Sequence, residues 1–225
     1  MKTLWPLENA LVNLPLAGKP LQMWLQEGVV TEQEVVSIRY PWQLLDLHEK
    51  LLEKQWNEKN EVSACQIAQL AEGARLLVGE GTQVLPGVYV EGLVVAGKGC
   101  KIGPNCYLRG PISIGDNCHV GQAVELKNTI LGDGTNVGHL SYIGDSVLGN
   151  KVNLGAGTIT SNLRHDGKNH RSVVEGEVLD TGRRKFGTII GEGVHTGIHT
   201  SLYPGRKLGA GTTTLPGEVV SKDVR

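Results

Sequence analysis

From Val78 onward an aliphatic residue recurs at every sixth position: Val78, Val84, Val90, Ala96, Ile102, Leu108, Ile114, Val120 and Leu126. Two five-residue steps then shorten the beat as the series runs on through Leu131, Val137, Ile143, Leu148 and Leu154. It breaks across residues 160–188 and resumes at Ile190, Thr196, Leu202, Leu208, Thr214 and Val220. Glycine follows many of these positions, among them Gly79, Gly97, Gly103, Gly115 and Gly121. A helical period of 3.6 and a strand period of 2 both fail over a run this long. A period of six is the mark of a parallel β-helix, in which each hexad forms one flat side and turns its aliphatic residue inward. Three sides close one coil, so residues about 18 apart stack at roughly the inter-strand spacing of 4.7–4.9 Å. The expected class is all-β. Spacing does not set the hand of the coil.

Residues 1–60 read differently. All four tryptophans (Trp5, Trp24, Trp42, Trp56) fall there. Pro41 to Lys59 carries Leu44, Leu45, Leu51, Leu52 and Trp56 at helical spacing, with charges between them. Pro41 suits the first turn of that helix. Thr31 with Glu34 forms a candidate capping box ahead of Val35 and Val36. The chain thus divides into a short helical segment, 1–60, whose apolar stripe must lie on the body or on a neighbouring subunit, and a β-helix, 61–225. The break at 160–188 is long and polar, with Arg164, Lys168, Arg171, Arg183, Arg184 and Lys185. Insertions of this kind lie on one outer face of a solenoid, often the binding face.

Composition adds bounds. With 31 glycines and 4% aromatic residues, the body rests on turns and small aliphatics. A net charge of −1 demands neither nucleic acid nor an acidic membrane as partner. No stretch is long and apolar enough to span a bilayer, and the expected location is the cytoplasm. Cys100, Cys106 and Cys118 follow the repeat and should point inward; with Cys65 they suggest core thiols rather than a disulfide framework or zinc ligands. A metal reading would draw on His165 and His170 or on His195 and His199, but these pairs sit in a loop or in different hexad contexts, and no metal is expected.

Stacking brings chemistry together at one edge. Arg109 and Lys127 each follow an inward leucine and lie one coil apart. Tyr107 and Glu125 stack likewise, and Tyr142 joins their column after a five-residue step, with His139 on the side leading into that corner. Two stacked cations favour an anion between them, and a planar guanidinium beside a point charge suits phosphate. His139 is a candidate general base, with Glu125 to hold its tautomer. A solvated salt-bridge ladder with a turn histidine accounts for the same spacing.

The segments GHLSYIGD and NLGAGTITSN resemble the acetyltransferase domain of bacterial bifunctional enzymes that acetylate and then uridylylate glucosamine-1-phosphate. The loop bearing DGKN and DTGRRKFG, followed by HTGIHTSLYPGRKLGAGT, is still more similar to the archaeal-type sugar-1-phosphate nucleotidylyltransferases that carry an acetyltransferase domain. This resemblance covers roughly residues 70–225. It implies a left-handed coil, a homotrimer with sites between subunits, and acetyl-CoA as donor to an amino-sugar 1-phosphate. It implies His139 as base, Glu125 as its orienting carboxylate, Arg109 and Lys127 on the sugar phosphate, and Tyr142 and Asn153 on the sugar. Asn162 would lie near the acetyl carbonyl, Lys168 at a functional loop position, Ala156 and Ala210 along the acetyl-CoA arm, and Lys185 at the cofactor phosphates. The match departs at Leu163, where the bacterial enzymes have an aromatic, at Ile198, where they have serine, and at Arg171, where the archaeal type has lysine.

At the front, NLPLAGKPLQMW and IRYPWQLLDLHEKLLEK resemble pieces of a sugar nucleotidylyltransferase domain with nearly everything between them missing. No glycine-rich phosphate-cradling loop precedes them. The expectation is a remnant without nucleotidyl transfer. A competing expectation is a non-catalytic trimer that binds a sugar phosphate or serves as scaffold for a separate nucleotidylyltransferase.

Overall fold

The computed structural model describes residues 4–7, 13–58 and 68–225, with the backbone alone for Val36 and residues 55–58. Lys59, Cys65 and the Trp56 side chain lie outside the described residues. The body is a left-handed parallel β-helix of about 8 turns. Its inward positions are those of the six-residue beat: Leu108, Leu126 and Ile143 stack in register, as do Ile114, Leu131, Leu148 and Ile190. These side chains are fully buried, and Thr196 and Thr214 are buried with them. Each buried aliphatic contributes roughly 1.5–3 kcal/mol relative to exposure, so the repeat itself builds the core.

The cysteines are inward, and they have a use. Thr82 Oγ1 donates to the Gly97 carbonyl (2.6 Å), Cys100 Sγ to Gly115 (3.0 Å), Cys118 Sγ to Gly132 (3.1 Å) and Thr135 Oγ1 to Gly149 (2.8 Å). One corner is thus tied to the next coil by a ladder in which two thiols stand between two hydroxyls.

The five-residue steps have a backbone cause. Between Lys127 and Thr129 the pairing with the strand Tyr107–Ile114 shifts register, so that the single residue Asn128 does the work of Gly110 and Pro111. Asn128 (φ 46°) and, one coil on, Asp145 (φ 51°) take the left-handed conformation that lets one residue turn the corner. Asn and Asp enter that region more readily than other side chains.

The helical segment is shorter in its parts than its periodicity suggests. Helices α1 (Leu21–Gln26), α2 (Glu32–Ser37) and α3 (Gln43–Glu58) follow one another. The Thr31–Glu34 capping box is complete. Pro41 sits two residues ahead of α3, in a tight turn where Leu44 N–H bonds its carbonyl at 3.2 Å. These helices have no separate core. Trp24, Trp42, Leu44, Leu45, Leu51 and Leu52 join one cluster with Val95, Ile130, Val147 and Ile189, which point outward from one face of the solenoid. The helices lie on their own body.

That outer column runs Leu77, Val95, Ser113, Ile130, Val147, Ile189, Lys207 in register. Its two polar members are both satisfied. Ser113 Oγ accepts from Ala17 N–H (2.8 Å) and lies 2.8 Å from His48 Nε2 of α3. Lys207 is buried against Asp223 (3.6 Å) and the Trp5 ring, and burial pulls its ammonium below the usual lysine range.

The break at 160–188 is not a bare polar loop. It folds as an antiparallel hairpin, Arg171–Val174 with Glu177–Asp180, and anchors itself through buried His170, Ser172 and Phe186. Phe186 reaches into the helical cluster beside Trp42, with ring centroids 6.0 Å apart.

Candidate active site

Three strands of one face, Tyr107–Ile114, Glu125–Leu131 and Tyr142–Gly144, carry the centre of the candidate site. Arg109 pairs with Lys127 in register, and Tyr107, Glu125 and Tyr142 form the adjoining column. His139 ends the strand Asn136–His139 on the next face, exposed, three residues before Tyr142 and around the corner from it. Stacking therefore does what the period predicts.

The anion that offsets the stacked cations belongs to the protein. Arg109 donates to the Glu125 carboxylate, and Lys127 Nζ reaches both oxygens of Asp145 at 2.8 and 2.9 Å. Each cation is answered by a carboxylate one coil on. In this chain Glu125 is held by Arg109, so its place beside His139 stays an expectation.

Asp145 is the hub. It is 2% exposed and is partnered by three side chains: Lys127, Asn128 Nδ2 (3.1 Å) and Asn162 Nδ2 (2.6 Å). Because an ionised carboxylate only accepts, the Asn162 amide must turn its nitrogen toward Asp145. The second hydrogen of that nitrogen goes to Tyr142 Oη at 2.8 Å. Asn162 therefore holds Tyr142 from below, and Tyr142 accepts there with its own hydrogen left to donate. The ring can lie down because position 144 is glycine; a Cβ there would stand 2.5 Å from Tyr142 Oη. Burial first, then the Asp145 and Glu125 charges, raise the Tyr142 phenol above its ordinary pKa.

The inserted segment closes one side. His170 Nε2 lies 2.9 Å from the Asn162 carbonyl, and burial lowers its pKa. Beyond Asn162 opens a cavity of about 510 Å³ lined by Ser161, Leu163, Arg164, His165, Asp166, Tyr203 and Pro204. Leu163 stands where an aromatic is expected, and Tyr203 from a neighbouring coil lines the same cavity. Arg164 and Asp166 pair at its rim (2.6 Å).

Other expected residues are spread more widely. Asn153 is exposed on the face that carries His119 and Asn136, its backbone bridged to His195. Lys168 and Lys185 are exposed; the Lys185 backbone bridges to Leu163 beside the cavity. Ala156 and Ala210 lie at different corners of the coil. Ala156 belongs to the corner stack where Gly157 N–H meets the His139 carbonyl and His199 N–H meets Ala156; Ala210 adjoins the stack of Asn150, Gly193 and Gly211. One chain does not bring those two alanines together. Among the described residues no three His, Cys, Asp or Glu side chains gather closely enough to hold a metal ion.

Comparison with known proteins places this arrangement. Residues 84–204 match the family model described as the GMPPB C-terminal domain. The chain belongs to this family. It is 37% identical over 193 residues to the bifunctional sugar-1-phosphate nucleotidylyltransferase/acetyltransferase of Sulfurisphaera tokodaii, covering 84% of the chain and 47% of that relative. It is 34% identical over 230 residues to the bifunctional protein GlmU of Methanococcus aeolicus, covering 100% of the chain and 54% of the relative. The GlmU of Azotobacter vinelandii is 42% identical over 101 residues, 45% of the chain and 18% of that protein. The chain spans about half the length of the two archaeal relatives.

Within the family fold, the sequence reading passed over Asp145, Asn128 and Tyr203. A signal for the first two was present. Both lie inside the two five-residue steps, Leu126 to Leu131 and Ile143 to Leu148, where a shortened corner calls for a residue that tolerates positive φ.

Proposed function

We propose that this chain transfers the acetyl group of acetyl-CoA to the amine of an amino-sugar 1-phosphate, either glucosamine-1-phosphate or galactosamine-1-phosphate. The observation that carries this reading is the pair of adjoining columns, Arg109 on Lys127 and Glu125 on Tyr142, gathered on one face with His139 at the next corner. The relatives' names, which join sugar-1-phosphate and acetyltransferase, point the same way.

In this reading Arg109 and Lys127 meet the phosphate, exchanging part of their hold on Glu125 and Asp145 for its oxygens. Tyr142 and Asn153 contact the sugar, with Lys168 on the loop above it. Neutral His139 takes a proton from the sugar ammonium, and Glu125 steadies the imidazolium that forms. The free amine attacks the thioester carbonyl carbon; the C–N bond forms, the nitrogen sheds its surplus proton to water, the C–S bond breaks, and the proton on His139 passes to the departing coenzyme sulfur. Charge developing on the thioester oxygen requires donors already in place. The cavity beyond Asn162 suits the donor arm, with Lys185 near the coenzyme phosphates and Ala156 back at the His139 corner. Ala210 sits at another corner of the coil, so a site that uses both alanines takes them from two copies, which supports a homotrimer. No step in this scheme calls for a metal or for nucleotidyl transfer; α1–α3 serve as cover for one face of the body.

A scaffold reading stays open on one observation: both cations already carry a protein carboxylate, as in a structural salt-bridge ladder. Thiol release from acetyl-CoA, measured with each amino-sugar 1-phosphate beside a His139→Ala variant, separates the two. Release that requires the amino-sugar phosphate and collapses in the variant supports acetyl transfer and names the epimer. A folded protein that releases no thiol with either acceptor supports the scaffold.

A further inference from the structure

Four polar side chains, Asp145 and Asn128 buried and Lys127 and Asn162 half-buried, form a chain of contacts whose organising member is Asp145. Its Oδ2 receives Asn162 (2.6 Å) and Lys127 (2.8 Å); its Oδ1 receives Lys127 (2.9 Å) and Asn128 (3.1 Å). Its backbone is locked as well: Asp145 N–H bonds Lys127 O (2.7 Å), and Asp145 O accepts from Gly187 N–H (2.9 Å), where the insertion rejoins the coil. The same Asn128 nitrogen donates to Glu49 of α3 (3.0 Å), and Glu49 with Asp46 binds Arg183 of the insertion. The carboxylate thus lies where the coil, the covering helix and the insertion meet.

Resting on the acetyl-transfer reading, we infer that Asp145 is the positioning residue that sets both ends of the reacting geometry. Through Lys127 it places the charge that meets the sugar phosphate. Through Asn162 it fixes Tyr142, making the Tyr142 hydroxyl, and not the Asn162 amide, the donor toward the oxygen that gains charge on the thioester.

The physical grounds are countable. An amide nitrogen has two hydrogens, and Asp145 and Tyr142 take both. A phenol oxygen that accepts a hydrogen bond donates its own hydrogen more strongly, because chained hydrogen bonds polarise one another. A carboxylate that is 2% exposed has no water to reorient toward, so its partners are held in one arrangement before any substrate arrives.

The test is Asp145→Asn, which keeps shape and removes the charge. In the acetyl-transfer assay it should lower kcat about tenfold to hundredfold and raise the KM for the acceptor, with the KM for acetyl-CoA little changed. In a Tyr142→Phe background the kcat cost of Asp145→Asn should shrink to about threefold or less, since the two act on one hydrogen bond. A kcat cost as large in that background as in the wild type overturns the inference, because it marks a general loss of structure. A second readout needs no activity. With ζ-13C-tyrosine, the Tyr142 resonance, identified by its loss in Tyr142→Phe, should titrate at lower pH in Asp145→Asn than in the wild type while Tyr203 is unmoved. An unmoved Tyr142 overturns the inference. If the wild type transfers no acetyl group, the functional reading fails, and the tyrosine titration still decides whether Asp145 sets Tyr142.

Discussion

His48 shows how one residue can record the burial of a whole face. It points from α3 into the outer column, is fully buried, and its imidazole is pushed down to about 3 by that burial. The Ser113 hydroxyl, which accepts from Ala17 N–H, shares a hydrogen bond with Nε2 of the neutral ring (2.8 Å). An unfolded histidine takes a proton near pH 6.5. The folded chain refuses that proton until about pH 3, so the unfolded state binds more protons between those values and stability falls as pH falls. From pH 7 to pH 5 this one group should remove about 2 kcal/mol. Chemical denaturation at the two pH values, wild type beside His48→Gln, should show a steeper acid loss in the wild type. Parallel losses would mean that the ring is already protonated or solvated in the fold.

At the scale of elements, the corner ladder explains two of the three cysteines that follow the repeat, Cys100 and Cys118, while Cys106 donates to Gly121 at another corner. Thr82, Cys100, Cys118 and Thr135 do one job at four successive coils, each donating to a carbonyl on the coil above. Cys118→Thr keeps volume and donor, and should cost no more than about 1 kcal/mol. Cys118→Val keeps the shape and strips the Gly132 carbonyl of this donor, and should cost about 1–3 kcal/mol. Equal stability of the two variants in urea titration would show that packing, and not hydrogen bonding, retains the thiols. The inserted hairpin carries a different lesson. Its basic residues read as a polar loop, yet Phe186 and Val174 tie it to the helical cluster. A single buried aromatic in a charged stretch has no period to announce it.

For the molecule as a whole, the helical segment works as a cover. Val95, Ile130, Val147 and Ile189 point outward and are buried under α1–α3, the Leu14–Ala17 segment and the insertion's Val174 and Phe186. A variant beginning at residue 68 should therefore bind hydrophobic dyes and self-associate, since a contiguous apolar face in water is a sticking surface. A monodisperse, dye-silent variant would show that the body closes that face by itself. The outward aliphatics were visible as paired apolar residues, Val95–Ala96, Ile130–Leu131, Val147–Leu148 and Ile189–Ile190, where one side chain of each pair has to face out.

The six-residue beat by itself determined the solenoid, its inward residues, and the stacking of Arg109 on Lys127 and of Tyr107, Glu125 and Tyr142. A repeat carries this information because each coil repeats the previous one, so that sequence separation becomes spatial distance. The beat also announced the inward cysteines, and the local sequence announced the Thr31–Glu34 cap, which depends only on neighbours in the chain. Only the tertiary structure decided which carboxylate answers which cation, that Asp145 gathers Lys127, Asn128 and Asn162, that Asn162 spends both amide hydrogens inside the protein, and that the helices cover the body's own face. Those contacts join residues whose separation no period fixes: α3 meets Asn128 across 79 positions and Arg183 across 137. Hydrogen-bond partners within reach of several groups are chosen by geometry at the level of tenths of an ångström, and that choice is made only when the coil, the insertion and the cover close on one another.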